Sequence, residues 1–318
     1  MSYVNTVLGT IHPAEMGITL QHEHILWGPP GWEFDPEWWF HYPKLFQKCL
    51  ADMREFRDMG GRTIVDASGI NMGRDVEFYR MISRYSGVHV VCSTGFWAGA
   101  GLYNYFRDKD IEYLENLFVH EITVGMGNSG AKAGVIKVGN GNFGFTEYDE
   151  RIHRAAARAA KRTGAAIITH GVLGIRRQVE VFEDEHFDLS RVMISHCSDN
   201  TGLDLERDKE VARKGAWAAY DTFSITNNWS WADYATYDDV KGDLVKAMID
   251  AGLIDRVLIS ADVNLFSLGW ARSNPYSGKT TVADGLRTII GQFMRLGLDE
   301  GVFKKIMIDN PREVVPIY

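Results

Sequence analysis

The stretch Gly17-Ile-Thr-Leu-Gln-His-Glu-His24 leads from a short apolar run into two histidines that are one residue apart. In an extended chain successive side chains point to opposite faces, so His22 and His24 project from the same face of a strand. Two imidazoles on one face can chelate one metal ion, and zinc is a common partner for them. Histidines also share a strand face by chance, so this interpretation depends on ligands elsewhere in the chain.

The rest of the chain alternates short apolar strands with amphipathic helices. After the first strand, further strands are predicted at Thr63–Ser68, Val88–Thr94, Ala133–Gly139, Ala165–Thr169, Val192–Ser195, Gly215–Tyr220 and Val257–Ser260. Helices are predicted at residues 44–59, 74–86, 109–124, 148–163, 174–185, 203–214, 237–251, 280–296 and 299–309. The apolar runs of the strands are nearly continuous, as expected when both faces of a parallel sheet are buried.

Eight such strands in 318 residues, with no linker between them, predict one (β/α)8 barrel domain over residues 1–318. The loops after strands one, seven and eight are long, so they are expected to elaborate the face on which the strands end. A doubly wound sheet is the alternative fold. It is disfavoured because no glycine-rich phosphate turn follows the first strand.

Composition restricts the possible partners and the compartment. The net charge of −8 argues against nucleic acid or an anionic membrane surface, since both require a basic face. No apolar run approaches the roughly 20 residues of a membrane span, and no secretory signal is expected at the N-terminus. The three scattered cysteines are typical of reduced thiols, which predicts a cytoplasmic protein.

Metal-type ligands follow several of the predicted strands. In a barrel the chemistry lies where strands run into their following loops. The residues found there are His22, His24, Lys137, His170, His196 and Asp262. Each has an ordinary explanation when taken alone: a buried histidine, a helix cap for the aspartate, or a strand-end lysine reaching solvent. Four histidines and one carboxylate on one rim together indicate a metal centre.

Lys137 is the most informative of these residues. It lies in the apolar strand Ala133-Gly-Val-Ile-Lys-Val138, where an unpartnered ammonium would be costly to bury. As a cation it is a poor metal ligand. If carbon dioxide adds to its amine, however, the product is an anionic carbamate whose two oxygens can bridge two metal ions.

At this point the chain is identified as a member of the phosphotriesterase-like family of the amidohydrolase superfamily. The motifs that resemble the family are the stretch Gly17–His24, Thr63–Ser68, Gly73-Arg-Asp75, Cys92-Ser-Thr-Gly-Phe-Trp97, Ala133–Val138 and Asp309-Asn-Pro311. They cover nearly the whole chain. The resemblance implies two divalent ions, zinc first and manganese, cobalt or iron as alternatives.

The same resemblance assigns the ligands. His22, His24 and Asp262 would hold the more buried ion, and His170 and His196 the more exposed one. Carboxylated Lys137 and a hydroxide would bridge the two. The hydroxide would attack the substrate, and Asp262 would take its proton and pass it to the leaving group. No redox cofactor and no nucleophilic serine or cysteine is required.

Two departures from the family leave the substrate open. Lactonases of the family often carry Asp-Arg-Tyr after the seventh strand, where this chain has Asp221-Thr-Phe223. Phosphotriesterases carry a supporting histidine there, and this chain has no histidine beyond His196. A hydrophobic lactone or carboxyl ester is therefore the expected substrate, and a phosphotriester is the alternative. A non-catalytic binding barrel is less favoured, because it would be expected to lose Lys137 or Asp262.

Seven of the nine tryptophans lie in three loops on the presumed active-site face: Trp27, Trp32, Trp38, Trp39, Trp229, Trp231 and Trp270. They indicate either an apolar pocket for a small hydrophobic substrate or packing between loops and across a homodimer contact. The residues expected to bind substrate are Trp27, Trp97, Phe223, Phe266 and Trp270. Near loop eight the only cations are Arg272 and Lys279, too few for a multiply charged phosphate monoester.

Overall fold

A computed structural model of the chain describes residues 2–28, 30–32, 41–98, 104–141, 144–199, 203–225, 236–267 and 280–318. The strands in this part are β1 (Val4–Thr6), β2 (Gly9–Ile11), β3 (Ile18–Trp27), β4 (Gly61–Asp66), β5 (His89–Gly95), β6 (Val135–Lys137), β7 (Ala166–Ile168), β8 (Val192–Ile194), β9 (Trp217–Tyr220), β10 (Val257–Ile259) and β11 (Asn264–Ser267). Each bound agrees with the sequence prediction to within a few residues, where a prediction was made.

The helices are α1 (Tyr42–Asp58), α2 (Val76–Ser86), α3 (Asn104–Arg107), α4 (Ile111–Thr123), α5 (Glu147–Thr163), α6 (Ile175–Asp184), α7 (Leu205–Arg213), α8 (Asp238–Asp250), α9 (Val282–Arg295), α10 (Glu300–Lys304) and α11 (Asn310–Val314). Local chemistry fixes their ends. Thr146 and Asp149 form a reciprocal capping box at the start of α5, and left-handed Gly164 ends that helix. Within the described residues no helix is both long and apolar enough to span a membrane.

The strands from β3 to β11 form one parallel sheet that closes on itself. Neighbours follow chain order from β3 to β10, and β11 returns to pair with β3 through Asn264 and His24. The residues between β10 and β11 also bond to β3, because the amide of Asp262 donates to the carbonyl of His22. Helices lie between the strands, so the architecture is the predicted (β/α)8 barrel.

Two apolar layers surround the sheet. One lies between strands and helices, and the other fills the barrel interior with residues such as Val65, Val135 and Leu258. Val4 from the β1–β2 hairpin and Met16 belong to the interior layer. Met16 accepts a hydrogen bond from Thr63, near the start of β4. The amino end of the barrel is thus closed by apolar packing, and the polar side chains are left for the carboxyl end.

The structure differs from the sequence prediction in several elements. The β1–β2 hairpin was not predicted, and the eighth strand is broken into β10 and β11. The strand β3 runs through Trp27, so Trp27 is not in loop one and the two histidines lie within the strand and not at its end. A π-helical turn, Lys305–Asp309, interrupts the predicted last helix.

The long first strand contains a bulge at the functional histidines. Leu20 pairs with Ile64 and Glu23 with Asp66, so three steps along β3 face two steps along β4. A bulge changes which way the following side chains point, and bulges are frequent beside active sites. The period-two alternation expected for the stretch Gly17–His24 is therefore interrupted within it.

Candidate metal centre

The ring of His22 is fixed in one tautomer by a buried carboxylate. Its Nδ1 lies 2.6 Å from Asp221 Oδ2, and both side chains are almost fully buried. Burial, joined by the charge of Lys137, lowers the pKa of His22 to about 4, so the ring is neutral at pH 7. An ionised carboxylate only accepts hydrogen bonds, so Nδ1 carries the proton. Nε2 is left with its lone pair, which faces Lys137 Nζ at 2.9 Å and is the atom that a metal would bind.

His24 is oriented in the same way by a hydroxyl. Ser68 Oγ donates to the carbonyl of Leu26 at 2.9 Å, which uses its one proton. The contact of 2.8 Å between Ser68 Oγ and His24 Nδ1 must therefore have the histidine as donor. In the neutral ring this again leaves Nε2 with the lone pair. That atom lies 3.2 Å from Asp262 Oδ1.

Asp262 lies where the eighth strand is broken. Its backbone is left-handed, with φ of +53°, which is uncommon for a residue other than glycine. Its Oδ1 is 3.2 Å from His24 Nε2 and 3.7 Å from His22 Nε2. Burial pushes its pKa upward, but the adjacent His22 and His24 outweigh this and hold the pKa of Asp262 below its usual value.

His170 and His196 follow β7 and β8 and face each other. His170 Nδ1 lies 2.8 Å from His196 Nε2, and the ring centroids are 4.6 Å apart. His196 has a left-handed backbone, with φ of +63°, and its amide donates to Asp221 Oδ1 at 2.8 Å. The edge of the pair is covered by Trp97, whose ring centroid is 5.3 Å from that of His170.

Lys137 ends β6 in the barrel interior and is completely buried. Its Nζ lies 2.9 Å from His22 Nε2 and 3.3 Å from the carbonyl of Thr169. Burial lowers the pKa of Lys137 to about 8. Gly95 pairs with it on β5, where a Cβ would lie 2.0 Å from the Lys137 carbonyl oxygen, so only glycine fits at this position.

Sequence reasoning missed the buried carboxylates that support these ligands. Asp221 contacts both His22 and His196, and these outweigh burial and hold its pKa well below the usual value. Asp66 accepts from the amides of Ile25 at 2.6 Å and Ser68 at 2.9 Å. Asp66 ends the observed strand β4, and Asp221 directly follows β9, much as the proposed ligands lie at or just after strand ends. Their position relative to the strands is therefore the signal by which they could have been found.

The donor set fits a metal centre. Among the described residues, His22, His196 and Asp262 each offer one ligand atom, and these atoms lie within 4.8 Å of one another. Neighbouring ligands of tetrahedral zinc lie about 3.3 Å apart, as Zn–N bonds of about 2.0–2.1 Å require. The distance of 3.2 Å between His24 Nε2 and Asp262 Oδ1 is of that size. It brings a lone pair against an anion, an arrangement that a cation would stabilise.

The residues expected to bind substrate are placed differently from one another. Trp97 is half-buried beside His170, and Trp27 ends β3. Phe223 is buried, with 1% of its surface exposed. Phe266 lies in β11, but its side chain is outside the described part. Also outside it are Trp38, Trp39, Trp229, Trp231, Trp270, Arg272 and Lys279.

Comparison with known proteins agrees with this geometry. Residues 2–315 match the phosphotriesterase family. The chain is 31% identical over 273 residues to the phosphotriesterase homology protein of Mycobacterium tuberculosis, covering 82% of this chain and 81% of that protein. It is 26% identical to the aryldialkylphosphatase of Saccharolobus solfataricus, over 96% of both. It is 27% identical to the N-acetyltaurine hydrolase of Bos taurus, over 98% of this chain and 97% of that protein.

A solved structure gives the same result for the fold. It comes from work on the molecular engineering of organophosphate hydrolysis activity from a weak promiscuous lactonase template. It matches with a TM-score of 0.87 at 27% identity, covering 98% of this chain and 99% of the other. The resemblance seen in the sequence motifs is confirmed. The chain belongs to the phosphotriesterase family, whose named members are hydrolases.

Proposed function

We propose that the protein is a hydrolase that requires two divalent metal ions and cleaves a hydrophobic lactone or carboxyl ester. The observation that carries the proposal is the buried contact of Lys137 with His22, in a cluster that also holds Asp262 and Asp221. Without a bound cation or a modified lysine, this cluster would hold facing lone pairs and a buried ammonium inside an apolar barrel. Both features are costly unless the site binds a charged ligand.

The proposed ligands are divided between two ions, zinc first, with manganese, cobalt or iron as alternatives. His22, His24 and Asp262 would hold one ion, His170 and His196 the other, and Lys137 both. When bound, such ions supply a water of lowered pKa and a Lewis acid for the substrate oxygen. The low pKa of Asp262 keeps this side chain ionised at neutral pH, so it can accept the proton of the attacking water. It would return that proton to the leaving group.

We propose that Lys137 is carboxylated. The neutral amine would attack carbon dioxide, form one N–C bond and release one proton, which leaves a carbamate with a single negative charge. Only the neutral amine can react. At pH 7.5 a pKa of about 8, in place of the ordinary 10.5, raises the neutral fraction from about 0.1% to about a quarter. Burial therefore has two effects. It makes an unmodified ammonium costly, and it increases the fraction of neutral amine that can react.

The substrate class is supported by what lies beside the ligands. Trp97 gives apolar surface next to His170. Thr222 and Phe223 follow Asp221, where phosphotriesterases carry a histidine. The similar solved structure derives from a weak promiscuous lactonase template that was engineered for organophosphate hydrolysis, and one similar protein is named N-acetyltaurine hydrolase. We propose on these grounds that a carbonyl carbon is attacked.

Phosphotriester hydrolysis is the second candidate. The aryldialkylphosphatase of Saccharolobus solfataricus is 26% identical over 96% of the chain, and Trp97 resembles the phosphotriesterase side of the family. The same ions can activate water against phosphorus. A neutral triester would also suit apolar surface better than a charged phosphate.

The deciding measurement is kcat/KM on one metal-loaded preparation for lactones, carboxyl esters and phosphotriesters. We expect a lactone or ester to give the highest value. An Asp262→Asn preparation, purified in parallel, sets the background from contaminating hydrolases. A phosphotriester that exceeds the best acyl substrate by more than about tenfold, or roughly 1.4 kcal/mol of transition-state binding, would overturn the acyl assignment.

We also propose a homodimer and a cytoplasmic location. The aromatic loops support the first, since aromatic residues are enriched at protein interfaces. The three cysteines support the second, because all are buried and free. Light scattering on the metal-loaded protein tests the oligomeric state.

A further inference from the structure

The break between β10 and β11 is bridged by one side chain. Between these strands the amide of Ala261 donates to Glu23 Oε1 at 2.9 Å, and the amide of Val263 donates to Glu23 Oε2 at 2.8 Å. The hydroxyl of Ser260 donates to Oε1 at 2.7 Å. The amide between them, that of Asp262, donates to the carbonyl of His22 at 3.0 Å. Every amide from 261 to 263 is therefore held by β3.

A carboxyl group can make this set of contacts, and an amide cannot. Glu23 is completely buried, and its two oxygens together accept three hydrogen bonds. An amide of the same shape has one accepting end and one donating end. In a Gln variant the donating end would face either Ala261 or Val263, which also donates. The site thus requires a second acceptor and not simply a side chain of this size.

The segment that Glu23 holds carries a proposed ligand in an unfavourable conformation. Asp262 has a left-handed backbone, and such residues persist when their surroundings over-determine them. The two residues on either side of it are the ones bonded to Glu23. Asp262 Oδ1 lies 3.2 Å from His24 Nε2. His24 directly follows Glu23 on β3. Glu23 therefore holds the backbone on both sides of Asp262, and its neighbour His24 contacts the Asp262 side chain.

We propose that Glu23 is a positioning residue that holds Asp262 in the left-handed conformation required for metal binding and proton transfer. The inference rests on the proposed function, since it assumes that Asp262 is a ligand. It gives the middle residue of His22-Glu23-His24 a role that the flanking histidines do not share. A residue that only closed the barrel would affect stability alone.

The test measures metal binding and not turnover. Wild type, Glu23→Gln, Glu23→Asp and Asp52→Asn are stripped of metal and titrated with Co²⁺ against a chromophoric chelator. The Co²⁺ absorption spectrum reports ligand geometry. Asp52 is the matched control, because it is a buried carboxylate on α1, whose burial raises its pKa to about 7. It contacts none of the proposed ligands through a hydrogen bond or ion pair among the described residues.

We expect Glu23→Gln to weaken one of the two Co²⁺ equivalents by about 10- to 100-fold, the usual loss when a residue that orients a metal ligand is changed. The spectrum of that equivalent should change, and the other should stay within about threefold of wild type. Glu23→Asp keeps a carboxylate but is shorter, so an intermediate affinity is expected. If circular dichroism shows that Glu23→Gln does not fold, the Glu23→Asp variant provides the test instead.

The outcomes separate the two proposals. If the wild type binds Co²⁺ and the Glu23 variants bind it with unchanged affinity and spectrum, the positioning role is wrong while the metal centre stands. A weakening matched by Asp52→Asn would also overturn the role, since it would reflect stability alone. If the wild type binds no Co²⁺ at all, the proposed function fails, and the inference fails with it.

Discussion

The two halves of the proposed metal centre are held in different ways. In the first half, His22 and His24 each have Nδ1 bonded to a fixed protein group, and Asp262 is held through its backbone. In the second half, the facing nitrogens of His170 and His196 contact each other at 2.8 Å. His170 is fixed mainly through its backbone carbonyl, which accepts hydrogen bonds from the side chain of Gln178 and from the amide of Asn140.

This difference predicts which of the two ions binds more tightly. Ligands whose ring orientation is already set lose less freedom when a metal binds. The first half has both rings and one carboxylate arranged before binding. The second half offers only two rings, one of which, His170, is held through its backbone. We therefore expect the first equivalent of metal to occupy the first half, and the second half to exchange its ion more readily.

The largest expected effect comes from Lys137, which would join the two halves. Lys137→Ala should lose most of its metal and reduce kcat/KM by about 10³-fold or more, because metal assistance is worth several kcal/mol. Atomic absorption and turnover of the best substrate measure the two losses. Propionate should restore part of the activity, since it can supply a carboxylate in the vacated volume.

Lys132→Ala is the control for this prediction, because Lys132 is exposed and lies shortly before the same strand. It should match wild type in both measurements. If Lys137→Ala kept its full metal content, Lys137 would not join the halves and would be only a buried cation.

Asp262→Asn should have the next largest effect. The amide fills the same volume but cannot accept the proton of the attacking water, so kcat should fall by about 10²-fold or more. The first-half affinity should fall as well, since Asp262 faces His24. Turnover from pH 5 to 9 and metal titration measure both effects. The control is Asp255→Asn, because Asp255 is an exposed aspartate just before β10, the strand that precedes Asp262. Normal turnover at every pH would remove Asp262 from proton transfer.

A pair of variants tests the comparison directly. Ser68→Ala removes the acceptor for His24 Nδ1, and Gln178→Leu removes the donor to the His170 carbonyl. We expect Ser68→Ala to weaken the tighter equivalent by about tenfold, and Gln178→Leu to weaken only the looser one by about the same factor or less. Competition with a chelator resolves the two equivalents. If both variants changed the same equivalent, the division into two halves would be wrong.

The smallest expected effect is a pH dependence of reconstitution. Burial lowers the pKa of Lys137 to about 8, and only the neutral amine reacts with carbon dioxide. At a fixed concentration of dissolved carbon dioxide, the rate at which apo-protein regains activity with metal should rise about ninefold from pH 6 to pH 7, as the neutral amine fraction does. The rise should level off above about pH 8. A rate that kept rising tenfold per unit to pH 10 would show an unshifted lysine.

Much of the architecture was predictable from local pattern. The apolar strands, the helix between each pair and the single barrel follow from periodicity, because a parallel strand buried on both faces needs a continuous apolar run. The buried contact of Lys137 with His22 was predictable for a related reason. A charged side chain inside such a run requires a partner, so its presence already indicated the ligand cluster.

The supporting contacts were not predictable, because they join residues far apart in the chain. His22 and Asp221 are 199 positions apart, and Glu23 and Val263 are 240 apart. Barrel closure brings them together by placing the last strand beside the first. The predicted eighth strand ended at Ser260, and no local pattern predicted that β11 would follow it and pair with β3.

The identity of the candidate ligands was already evident from the chain: four histidines, a lysine and an aspartate at or near the ends of predicted strands. Which of their atoms face each other depends on the folded barrel. The bulge in β3 and the left-handed backbone of Asp262 set those directions, and both depend on hydrogen bonds between distant strands. Side-chain direction is set by register, and register is fixed only when the sheet has closed.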